Sequence, residues 1–266
     1  MSSHIDRRRQ HNADDVYKLG TVVQGKSFSD PTKLWDKEPK CKDIQATYDS
    51  SWLPAAECAI TKMSNLIQDR IIEVKAKVDN NIETPDSLKI NIFNKDLTPA
   101  PFEFKTKDVN WGDCYWKLWW PAPIAMAVIN QLDKPYINGD SPFDEDEKYM
   151  RFQNDTTDDW DPSVGLWKLT GKAAEVKVKE KDFDKNKAWE WLSQYSDYSP
   201  MVISTAKTTK KLGTHQCYSV MTTKEDKHGR KTHLFNPYLS EEKWRSLDEV
   251  YNDMDRIGHL TDWASI

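Results

Sequence analysis

From Ser51 onward, Trp52, Ala55, Ala56, Ala59, Met63, Leu66 and Ile67 recur at helical spacing, which predicts a helix opening near Ser51 with one apolar stripe. Pro54 suits its first turn, where backbone N–H groups lack intrahelical partners, and Asp49 or Ser50 supplies a cap. A second helix over 116–132 is apolar on most sides and so buried, its regular part starting at Pro121 or Pro123. Residues 88–93 and 102–107 read as strands. The pattern then turns to alternation: strands over 174–178, 201–204 and 217–221, and a hairpin that turns at His228-Gly229 and returns through 232–235. A short helix over 188–193 carries Trp189 and Trp191, and 241–254 reads as a closing amphipathic helix. Residues 1–24 read as a disordered tail. The acidic run over 140–161 reads as a loop between a helical lobe, 25–160, and a β-rich lobe, 161–266. Helices first and strands after make this an α+β chain.

Composition narrows the function. The 266 residues carry 38 Lys+Arg against 43 Asp+Glu, a net charge of −5, which leaves no basic excess to displace counterions from nucleic acid. Twelve tryptophans promise a well-anchored core or an aromatic groove. The four cysteines, Cys41, Cys58, Cys114 and Cys217, form no CxxC pair and no zinc spacing. A reducing, cytoplasmic compartment is the default for them, with room for up to two disulfides. No apolar run reaches membrane-spanning length. The polar start, with Arg7-Arg8-Arg9, reads as a solvated tail and not as a secretory signal.

The chemistry concentrates at Gln45 and Ser51. An amide donor shortly before a hydroxyl at the mouth of a small-residue helix matches what a thiol peptidase needs: a nucleophile at a helix N-terminus and an oxyanion donor just upstream. Further pieces follow in order. These are Trp35-Asp-Lys-Glu-Pro39; Asp43-Ile44-Gln45 with Ser51-Trp52-Leu53-Pro-Ala55-Ala56; Trp120-Pro-Ala122 leading to Ala127; Tyr136-Ile-Asn138-Gly139; Leu169-Thr170-Gly171 with Glu175; Tyr218-Ser219-Val220; and Asn236-Pro237-Tyr238. Together they resemble the calpain protease core, from about residue 35 to about 251. The resemblance implies a papain-like fold of two lobes with a cleft that takes a polypeptide. It implies Ser51 at the nucleophile position, Gln45 as oxyanion donor, Asn236 orienting the base, and Asp43 in a calcium loop.

Two departures bear on activity. Ser51 stands where the family has Cys, and a hydroxyl is not ionised by this setting as a thiol is; loss of a triad nucleophile costs about 10⁶ in kcat. The family's His-Ala-Tyr-Ser-Val is Gln216-Cys217-Tyr218-Ser219-Val220 here, so the base position holds Gln216 while His215 lies one residue earlier. One residue of shift turns a strand side chain to the other face, and a β-bulge between His215 and Tyr218 would restore it. The base is therefore His215 or Gln216. The chain reads as a calpain-like endopeptidase core, inactive as written, by nature or through a change that blocks self-cleavage. The alternative is a non-catalytic scaffold that holds a peptide or protein in the same cleft. Gly112-Asp113-Cys114-Tyr115-Trp116 also resembles a calpain nucleophile motif. However, Asp108 is a poor oxyanion donor and no Leu-Leu-Ala-Ala run follows, so Cys114 reads as a buried core thiol.

Overall fold

The computed structural model describes residues 34–44, 51–63, 66–75, 85–106, 118, 120–131 and 161–261. The N-terminal tail, Gln45, Asp49, Ser50, Cys114, Asn138-Gly139 and the acidic run as far as residue 160 lie outside these.

Helix α1 spans Trp52–Thr61 with Ser51 at its N-cap and Pro54 inside the first turn. Its apolar surface is wider than one stripe: Trp52, Leu53, Ala55, Ala56, Cys58, Ala59 and Ile60 are all buried, so the helix runs through the core. The expected continuation along Met63, Leu66 and Ile67 breaks into a π-turn at Ile67–Ile71. This feeds strand β1 (Ile72–Lys75), which the sequence reading did not place. β2 (Ser87–Ile90) and β3 (Phe102–Lys105) join β1 in an antiparallel three-stranded sheet, and α2 (Pro121–Gln131) starts at the expected proline.

The second half builds a six-stranded antiparallel sheet in the order β4-β9-β5-β6-β7-β8. Its strands are β4 (Ala174–Val178), β5 (Met201–Thr205), β6 (Cys217–Asp226), β7 (Gly229–Asn236), β8 (Glu241–Ser246) and β9 (Met254–Leu260). Helices α3 (Val164–Thr170), α4 (Lys185–Tyr195) and α5 (Leu247–Asp253) complete it. The closing helix expected over 241–254 is thus a strand followed by a shorter helix, because Ser246 and Glu249 form a reciprocal capping box that starts α5 there.

Strand alternation sorts the sheet into two faces. Val202, Cys217 and Phe235 point to the core that holds α1, while Met201, Ile203, Tyr218, Val220 and Leu234 point to the core under α4 and α5. The first core also takes in Leu88, Ile90 and Ile92 of the small sheet, so α1 lies between the two sheets. Although α3 follows the expected lobe boundary, it packs against α1. A Cβ on Gly165 would stand 2.4 Å from that of Ala56 and 3.0 Å from the Trp52 carbonyl, an approach only glycine allows. A Cys41–Cys58 disulfide ties the 3-10 turn Cys41–Asp43 to α1, and Met221 Sδ of β6 lies 3.5 Å from Cys58 Sγ. The architecture is α+β.

Candidate functional site

Ser51 sits where α1 meets β6. Its side chain is fully buried, and its Oγ accepts the backbone N–H of Cys217 at 2.7 Å. One turn on, the Ser219 hydroxyl donates to the Ala55 carbonyl, and the small side chains of Ala55 and Ala56 let helix and strand come this close. Ser51 therefore satisfies the peptide N–H that opens β6.

Cys217 is the residue that the motif comparison passed over. Its one visible signal in the sequence is a cysteine where the resemblance would have an alanine. Its thiol is buried and free of disulfide. Burial pushes its pKa up to about 12, against a hydrogen bond with the Ser51 side chain that favours the thiolate, while the Asp161 charge adds to the rise. Cys217 is thus a buried thiol beside Ser51, held in its non-nucleophilic form.

Gln216 and Asn236 meet each other through a third residue. The Tyr218 hydroxyl donates to Gln216 Oε1 at 3.0 Å and accepts from Asn236 Nδ2 at 3.3 Å and from the Gly213 N–H at 2.7 Å. Burial raises the Tyr218 pKa, which keeps the hydroxyl a donor. A Cβ on Gly213 would stand 2.0 Å from Gln216 Oε1 and push that amide aside. The alternation that points Cys217 and Ser219 at α1 turns Gln216 and Tyr218 away from it. Asn236 Oδ1 accepts the N–H of Tyr238 at 2.9 Å, so its amide also closes the turn into β8.

His215 lies before β6 in the left-handed region, at φ 51°, with its N–H directed to the Ala206 carbonyl at 3.3 Å. The β6–β7 register shifts between Val220 and Thr222, further along the strand than the 215–218 bulge that would have turned His215 to the other face. Gln45 lies just past Ile44, the last described residue of its segment. The Ile44 carbonyl accepts the Ser240 hydroxyl at 3.0 Å, which brings the chain leading to Gln45 beside the turn that Asn236 closes.

Asp43 is engaged within the fold. Its Oδ2 accepts the Lys40 N–H at 2.8 Å and the Trp120 indole N–H at 3.2 Å, so the carboxylate closes a turn and anchors an aromatic ring. Among the described residues no three His, Cys, Asp or Glu side chains gather where a cation could sit.

A second missed residue is Asp253, at the end of α5. Its carboxylate accepts three successive backbone N–H groups, from Lys210 (2.9 Å), Lys211 (2.6 Å) and Leu212 (2.8 Å). Burial alone would raise its pKa, but the three N–H bonds, helped by the Lys179 charge, hold it below the usual carboxylate value. Asp253 thereby fixes the loop that delivers Gln216 to β6. Among the described residues no helix is long and apolar enough to cross a membrane. No protein-family model matches the chain, and no curated protein matches it.

Proposed function

We propose that this chain is a calpain-like, papain-type core that has lost catalysis and serves as a scaffold, holding an extended polypeptide in the cleft between a helical and a β-rich lobe. One observation carries this reading: the hydroxyl at the nucleophile position is wholly buried and takes up the Cys217 N–H, so it is closed to a substrate carbonyl. The turn of Gln216 toward Tyr218 supports it, since an amide cannot act as general base and this one is engaged elsewhere.

The test is to assay the full chain for binding and for hydrolysis of a fluorescein-labelled unstructured peptide, with Ser51→Cys alongside. Binding without turnover in both is expected. Hydrolysis by either protein would return the chain to the active endopeptidases, and failure of both to bind would remove the scaffold reading.

A further inference from the structure

We propose that Cys41, Cys58 and Met221 form a soft-metal site that takes Cu(I) when the Cys41–Cys58 disulfide is reduced. It is independent of the cleft reading. Three sulfurs from three elements converge here: Cys41 opens the 3-10 turn, Cys58 lies on α1 and Met221 on β6. Met221 Sδ stands 3.5 Å from Cys58 Sγ and 3.7 Å from Cys41 Sγ, across 163 and 180 residues of chain. The Cα atoms of the two cysteines are 4.5 Å apart, so both side chains stay aimed at one spot when the bridge opens. Their sulfurs then part to a non-bonded separation, roughly 3.5–4 Å. The three sulfurs become a nearly regular triangle, and a cation at its centre stands about 2.1 Å from each, close to the ~2.3 Å of a metal–thiolate bond.

Two thiolates and a thioether are soft donors, which select Cu(I) over calcium, magnesium or manganese. Zinc asks for a fourth ligand, and among the described residues no further His, Cys, Asp or Glu joins the two cysteines. Cu(I) with two thiolates leaves one negative charge. The Lys62 ammonium donates to the Val220 carbonyl at 3.0 Å and to the Ser196 carbonyl, which fixes a cation one residue from Met221. The Thr61 hydroxyl lies 3.4 Å from Cys41 Sγ and donates to the Cys58 carbonyl at 2.7 Å, so one side chain braces both cysteines, as outer-shell groups do at metal sites. Cys58 and Cys41 are buried, whereas Met221 is half-buried, so the thioether is the point of entry. Thiols of the glutathione class open the bridge by exchange, giving their hydrogens to the two cysteine sulfurs and leaving as their own disulfide. Cu(I) then displaces the two thiol protons and is neither oxidised nor reduced.

The experiment reduces the full chain with a water-soluble phosphine, adds Cu(I) without oxygen against a chromophoric Cu(I) chelator, and reads bound metal and X-ray absorption at the copper edge. The reduced protein is expected to hold one Cu(I) with three sulfur neighbours, and the oxidised protein to hold none at the same chelator concentration. Met221→Leu conserves side-chain volume and keeps both cysteines. It should lower Cu(I) affinity at least about tenfold and leave two sulfur neighbours. Cys41→Ser combined with Cys58→Ser should abolish uptake. Cys114→Ser and Cys217→Ser, which remove the other two thiols, should leave it unchanged. Uptake undiminished by Met221→Leu, or equal in the oxidised and reduced proteins, would overturn the proposal. So would a reduced chain that binds no Cu(I), or one that loses its circular dichroism on reduction and so has no preformed site.

Discussion

A hydroxyl at the mouth of α1 is weakly acidic, and a helix N-terminus, which stabilises a thiolate, does little for it. Ser51 instead behaves as a structural side chain that satisfies the first N–H of β6. In Ser51→Cys the new thiol would lie beside the thiol of Cys217. Treated with oxidised glutathione, that variant is expected to form a disulfide between the introduced thiol and Cys217, seen as a mass loss under non-reducing conditions and absent when Cys217→Ala is added. Two free thiols after oxidation would show that the side chains do not meet. Asp253 is the other residue on which the site turns. Asp253→Asn replaces a carboxylate by a group with one acceptor oxygen facing three N–H donors, and should cost about 2 kcal/mol. Since the folded pKa is depressed, this stabilisation is complete above the usual 3.8 and is lost as pH falls through the folded value. Hydrogen exchange at Lys210, Lys211 and Leu212 is the direct readout: protection in the parent should collapse only in strong acid, while the variant lacks it at every pH.

At the scale of elements, α5 is set by its cap. The Ser246 hydroxyl accepts the Glu249 N–H at 3.2 Å and the Glu249 carboxylate accepts the Ser246 N–H at 3.0 Å. Ser246→Ala should cost about 1 kcal/mol in denaturant unfolding and raise exchange in the first turn of α5; an unchanged midpoint would mean that packing of Leu247 and Val250 alone sets the helix. The same box explains what could be read from the chain and what could not. Strands β4 to β7 and the hairpin at His228-Gly229 were legible because alternation and turn chemistry agree. Leu247, Val250, Tyr251 and Met254 form a helical stripe, and its period carried the expected helix back over β8, although Ser246-Leu-Asp-Glu249 marks a start in plain sequence. β9 was missed for a related reason, since Gly258 and His259 interrupt its apolar run. The site was legible as positions more than as geometry. The motif reading named Ser51 and Asn236 as positions, but the pairing of Ser51 with Cys217 depends on the approach of helix to strand, which no local pattern encodes. Asp253 bonds a loop some 40 residues away, which period and propensity cannot register.

For the whole molecule, the position of α1 between the two sheets means that any charge on its buried faces weighs on the entire fold. Glu57 is such a charge: it is buried, its Oε1 has no hydrogen-bond partner among the described residues, and burial drives its pKa well above the usual 4.5. The native state therefore holds a proton that the unfolded chain releases. Stability from this group is complete below pH 4.5 and declines as pH rises toward the folded value, by about 1.4 kcal/mol for each pH unit crossed. Two lysines, Lys168 buried and Lys62 half-buried, act later and in the other sense. Burial lowers Lys62 and Lys168 to about 8, so their penalty is relieved between about pH 8 and 10.5, where the unfolded lysines are still charged. Denaturant unfolding from pH 4 to 8 separates the contributions, because below 8 only Glu57 titrates among the three. Glu57→Gln, which keeps the shape of the protonated acid, should match the parent near pH 4 and exceed it increasingly toward neutrality. Parallel curves for the two proteins would mean that the carboxylate finds a partner on ionising and that the core of α1 tolerates its charge.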